Sequence, residues 1–139
     1  MRKTARETAF KLIFEKSVSG GDASISYALL SANFTDDDRS FLDALLLGVE
    51  KEREFLCGVI SSYASGFSLQ RIYKIDLAIL LIASYEIIFM DEVPVKVSVN
   101  EAVELAKIYS TDKSPAYING ILASVITKKE EILNERNAD

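Results

Sequence analysis

The run Leu77-Ala-Ile-Leu-Leu-Ile-Ala-Ser-Tyr-Glu86-Ile-Ile-Phe-Met90 is apolar on almost every side of a helix. A helix without a polar face belongs at the centre of a bundle, covered by its neighbours. Its uninterrupted part, Leu77 to Ala83, has seven residues. A membrane span needs about twenty, so this is a buried core segment.

The flanks read as helices too. Downstream, Val93, Val95, Val97 and Val99 alternate as a strand would, but no partner strand is evident. Pro94 suits a first helical position and Ser98-Val-Asn-Glu101 fits a capping box, so the segment reads as a loop entering a helix that ends near Tyr109. A last helix opens at Ser114-Pro115, cap then Pro, and continues past Ile126. Upstream, Thr4-Ala-Arg-Glu7 fits a capping box ahead of an apolar arc through Ala5, Ala9, Phe10, Leu12, Ile13 and Phe14. Ser19-Gly-Gly-Asp22 breaks that helix, and a short one covers about residues 23–32. Thr35 caps a helix with Asp36, Asp37 and Asp38 in its first turn, where the dipole favours them. Phe41, Leu42, Leu45, Leu46 and Val49 form its stripe, and a separate helix runs from Phe55 through Tyr63 to a stop near Gly66. Ser68 is a further possible cap. The expected fold is therefore all-α: about seven helices in two small packed bundles, residues 1–66 and 67–139, within a single domain.

Composition narrows the function. The chain has 139 residues, 49% hydrophobic and 27% charged, with one Cys, no His and no Trp. The length suits one domain with a sizeable core. A lone Cys57 makes no internal disulfide, which points to a reducing, cytoplasmic setting, and no export or membrane signal is evident. Without histidine, the His-based triads, His general bases and mixed-ligand zinc sites are excluded. No phosphate loop, nucleophile elbow or carboxylate dyad is evident either, so a binding module without catalytic residues, metal or cofactor is expected. Asp36–Asp38 read as a helix start rather than a magnesium site, and Cys57 as a small buried hydrophobe.

The net charge of −5 hides a gradient. Arg2, Lys3, Arg6, Lys11 and Lys16 outnumber Glu7 and Glu15 at the start, whereas residues 36–54 and 86–104 each carry a net −4. Such asymmetry fits two partners, one anionic and one basic, or simply solvated helix faces. Three places stand out. Arg2 and Arg6 lie on one side of the first helix and give its apolar stripe a cationic head, suited to phosphate or merely an ordinary terminus. Lys107, Lys113, Ser114 and Tyr117 gather two ammonium groups, a helix start and an aromatic ring. That is a way to hold single-stranded RNA, although Tyr117 is equally read as half-buried core. Glu86, the only charge between Leu77 and Met90, must reach the surface or meet a cation, and the acidic neighbourhood assigns that cation to a partner protein.

These residues align with a family. Arg6-Glu7-x-Ala9 with Leu12, Gly48-Val49, Ile75-Asp76-x-Ala78-Ile79-Leu80, and Ala83-x-Tyr85-Glu86 resemble the NusB family. So do Pro94 and Val97, and above all Asn100-Glu101-Ala102-Val103-Glu104-Leu105-Ala106-Lys107 followed by Tyr117-Ile118-Asn119-Gly120. The resemblance implies an all-helical fold and transcription antitermination by binding boxA RNA of ribosomal RNA leaders. The implied partners are NusE, a basic small-subunit ribosomal protein, and the elongation complex of RNA polymerase. It further implies RNA contacts by Arg2, Lys3, Arg6, Lys113 and Tyr117, and a NusE surface including Phe14 and Glu86. The chain departs from the family pattern in its few N-terminal arginines, in Leu81 where Arg is common, in Phe67 where Trp often sits, and in Phe14 where Tyr is frequent. Two alternatives remain. One is a purely protein-binding helical adaptor. The other is a stand-alone relative of the RNA-binding part of ribosomal RNA cytosine methyltransferases, with no cofactor-binding domain in this sequence.

Overall fold

The computed structural model describes residues 2–64 and 71–138. Among these residues seven helices and no strand occur: α1 (Arg2–Ser19), α2 (Ser24–Leu30), α3 (Asp36–Tyr63), α4 (Lys74–Phe89), α5 (Val95–Tyr109), α6 (Ser114–Thr127) and α7 (Lys129–Asn137). The expected stop at Gly66, the cap at Ser68, Phe67 and the 66/67 boundary lie outside the described residues.

The central helix is where its sequence puts it. α4 packs against α1, α3, α5, α6 and α7. Ala78 through Ser84 are all buried, as are Ile87 and Ile88. Burial of Leu81 accounts for an apolar side chain there. The arc predicted for α1 is buried through Ala5, Ala9, Phe10, Leu12 and Ile13, with Phe14 at its edge. α1 closes at Gly20, whose φ of 69° is a left-handed turn that costs glycine nothing, and its amide bonds back to the Lys16 carbonyl at 2.8 Å.

The helix count agrees with expectation, but the divisions differ. Residues 36–63 form one helix of 28 residues, not two. Glu50 to Glu54 supply strong helix formers across the expected break. Gly48 lies inside this helix, where the Tyr85 ring occupies the space in which a side chain would stand, and a Cβ there would overlap that ring. At the other end, the last stretch divides at Lys128 into α6 and α7. Sequence periodicity missed what holds α7 down. Arg136 reaches Glu52 of α3 at 2.8 Å and lies over the rings of Phe55 and Phe89, 5.5 and 5.1 Å from their centroids.

The expected caps fare unevenly. Thr35 accepts from the Asp38 amide as predicted, with all three aspartates in the first turn. Thr4 instead lies inside α1, which already runs from Arg2, and Ser98 lies inside α5, whose N-cap is Pro94. Val95, Val97 and Val99 are therefore helical rather than part of a loop. Ser114 is the first residue of α6, not its cap, and Lys113 precedes it. Cys57 is half-buried at the edge of the core rather than fully inside, and burial raises its thiol pKa.

The close approach of α3 and α4 at Gly48 is testable. Gly48→Ala should lower stability by about 1–3 kcal/mol through overpacking against Tyr85, even though alanine is the better helix former by about 1 kcal/mol. In a Tyr85→Ala background the same change should be neutral or stabilising. Thermal melting of the four variants checks this, and equal losses in both backgrounds would contradict it.

Candidate nucleic-acid and protein interface

The head of α1 carries the first expected site, and the structure divides its cations into two kinds. Arg6 is buried, and its Nε donates to both carboxylate oxygens of Glu86 at 2.8 and 3.0 Å. Ser98 Oγ donates to the same carboxylate at 3.1 Å, so α1, α4 and α5 meet on one charge. Glu86 is 1% exposed and Arg6 5%. The cation that Glu86 required is therefore within the chain, and two expectations are corrected. Arg6 does not present its guanidinium to phosphate, and Glu86 does not present its carboxylate to a basic protein. Eighty residues separate the pair, a distance over which sequence spacing carries no signal. Burial raises the Glu86 carboxyl above the ordinary range, and the Arg6 guanidinium and the Arg6 and Ser98 hydrogen bonds oppose this without cancelling it.

Arg2 and Lys3 stay outside. Arg2 and Arg6 share a side of α1, as their spacing predicts: their guanidiniums sit over the Phe41 ring, 4.6 and 5.0 Å from its centroid. Arg2 also approaches Asp37 at 3.7 Å, and Lys3 approaches Glu101 at 3.5 Å, both through solvent-exposed lysine or arginine side chains. Exposed pairs of this kind contribute at most about 1 kcal/mol, so an arriving phosphate can displace the carboxylate. Beyond Lys3, the Tyr109 hydroxyl donates to Glu7 at 2.7 Å, tying the end of α5 to α1. That bond raises the Tyr109 pKa, because the neutral phenol is the donor.

The second expected site lies just beyond Tyr109. Lys107 and Lys113 are exposed, Tyr117 is half-buried and Ser114 is buried. Lys107 pairs loosely with Glu104 at 3.4 Å, whereas Lys113 has no ion pair among the described residues. The Tyr117 ring packs against the core with its hydroxyl oxygen inside, so only part of the ring is available to a base. Burial first, then the nearby Asp76 charge, raises the Tyr117 pKa. Beneath the turn, Ser110 and Ser114 donate to the two oxygens of Asp76 at 2.5 and 2.9 Å. Neither serine was read from the sequence as a partner of Asp76. The only available signal was a carboxylate two residues ahead of Ala78 in an apolar helix.

Phe14, expected on a protein-binding surface, is half-buried beside an open groove of about 450 Å³. Phe10, Lys11, Val18, Ile75 and Tyr109 line the same groove, whose surface is mainly apolar, and Val18 is more than half exposed. Phe10 stacks on Phe14 and lies tilted against Tyr109, with centroids 6.3 and 5.2 Å away.

Residues 3–127 match the model of the NusB family. The transcription antitermination protein NusB of Ruminiclostridium cellulolyticum is 39% identical over 140 residues, covering 99% of this chain and 95% of that protein. Its counterpart from Clostridium novyi is 38% identical, covering 90% and 97%. Among solved structures, NusB of T. maritima superposes with a TM-score of 0.87 at 26% identity, over 96% of this chain and 97% of that one. A structure of the antitermination factors NusB and NusE in complex with dsRNA superposes at 0.81 over 91% and 96%, and at 20% identity it bears on the fold alone.

The buried ion pair gives a sharp expectation. Arg6→Met strands the Glu86 charge and should cost about 3–5 kcal/mol at neutral pH, whereas Arg6→Met with Glu86→Leu should regain most of it. A carboxyl raised above its unfolded value favours folding when protonated, so its contribution is present at low pH and lost as pH rises through the folded value. The Arg6→Met deficit should therefore shrink on acidification, as followed by denaturant unfolding across pH. A deficit independent of pH would contradict the assignment.

Proposed function

The chain belongs to the NusB family, and on that premise we propose that it is a transcription antitermination factor of the cytoplasm. It acts by binding and catalyses no reaction. Its ligands are a boxA-type single-stranded segment of nascent ribosomal RNA and the basic ribosomal protein NusE, on the elongation complex of RNA polymerase. The observation that carries the RNA part is the placement of cations in a chain of net charge −5. Arg2, Lys3, Lys107 and Lys113 all remain exposed, at the head of α1 and around the α5–α6 turn, in weak pairs or none. Electrostatic contacts of this kind supply affinity, and the free part of the Tyr117 ring supplies a surface for one base. The groove beside Phe14 supports the protein part: it offers a mainly apolar area, with Lys11 and Glu15 as its charged lining.

Titration with boxA-type RNA against a scrambled sequence, with and without NusE, tests the reading. Preference for boxA that strengthens with NusE is expected, and equal binding of both RNAs in both conditions would overturn it. Two variants refine it. Lys113→Ala should weaken RNA binding and lower the salt slope by about one unit, as for one lost phosphate contact. Tyr117→Phe should keep RNA affinity near that of the unsubstituted chain, since the hydroxyl lies inside. Tyr117→Ala should lose both melting temperature and affinity, the stacking share being about 1–3 kcal/mol in the folded protein.

A further inference from the structure

We propose that Asp76 is a positioning residue for nucleic-acid binding: its buried carboxylate fixes the turn between α5 and α6 and so sets where Lys113 and Tyr117 stand. The inference rests on the functional reading above. Asp76 is 2% exposed, and no ion pair reaches it among the described residues. Its charge is held instead by hydroxyls and helix ends. It lies in the first turn of α4, and Ser114, which donates to it, is the first residue of α6. Both helix N-termini favour a negative charge at that point.

The hydroxyls are shared so that the whole turn is engaged. Ser110 Oγ takes one carboxylate oxygen and Ser114 Oγ the other. Ser114 Oγ also lies 2.8 Å from Ser110 Oγ and from Thr111 Oγ1, and it accepts from the Thr111 amide at 3.3 Å. Each carboxylate oxygen thus has its own donor. An amide at this position offers one acceptor oxygen in place of two and carries no charge, so the serine hydroxyls must reorient among themselves and the tie from the turn to α4 weakens. Between Thr111 and Ser114 the chain carries Lys113 to the surface, and Tyr117 follows one turn into α6. Cations on a fixed turn lose little further freedom when phosphate binds, which favours affinity.

Asp76→Asn provides the test, read by hydrogen exchange and by titration with the boxA-type RNA. Amides of residues 110–117 should exchange about tenfold faster or more while those of α3 keep their rates. RNA affinity should fall several-fold. Combined with Lys113→Ala, the loss should be less than the product of the separate losses, and combined with Lys3→Ala it should equal that product. A merely structural role would multiply alike with both. Unchanged exchange, unchanged affinity, or equal coupling to Lys3 and Lys113 each overturns the assignment. Where Asp76→Asn does not fold, Ser110→Ala, at a half-buried position, is read in its place with the same criteria. Failure of the unsubstituted chain to bind RNA would defeat the functional reading itself, and is told apart because it needs no substitution.

Discussion

The ion pair between Arg6 and Glu86 is the constraint around which the helices are arranged. α4 is apolar nearly everywhere, and midway along it, away from the favourable helix start, the Glu86 carboxylate is held by a cation and a hydroxyl. α1 brings the guanidinium and α5 the Ser98 hydroxyl, so the depth and rotation of both helices are set against the same group. Phe41 of α3 closes the site as the platform beneath Arg6. A pair of this kind contributes specificity of arrangement more than net stability, because withdrawing two charges from water offsets most of their attraction. With Arg6 committed inward, Arg2 and Lys3 are left as the exposed cations at the head of α1.

The helices themselves were legible, since apolar spacing reports which face is buried. Their ends were less so. Thr4, Ser98 and Ser114 all sit in sequences that suit a cap, yet only Thr35 behaves as one. A capping rule describes a hydroxyl with nothing better to bond, and Thr35 is exposed with its own helix as its partner. Ser98 and Ser114 are buried and bond to carboxylates of α4 instead. Glycine misleads in a similar way. Gly48 stands in the interior of α3, where glycine is a poor helix former, and what requires it is a tyrosine from another helix.

At the candidate interfaces the residue types were legible and the partners were not. A lone glutamate in an apolar helix announces that a cation is needed, but local spacing cannot say that the cation is eighty residues away in the same chain. The charge gradient separates a basic head from acidic flanks along the sequence. It could not tell which basic side chains were already spent on internal pairs, because that depends on burial. Tyr117 shows the limit most clearly: position at a helix start fits stacking and core packing equally, and the structure shows the ring half-buried against the core with its hydroxyl inside.

The contact of Gly48 with Tyr85 also constrains how the sequence can drift. The two positions occupy one volume, so neither can change its size alone without leaving a clash or a void. A lineage that acquires a side chain at 48 must first give up the ring at 85 and pass through a form with an unfilled gap between α3 and α4. The glycine and the aromatic thus form a single spatial character written at two sites in the chain.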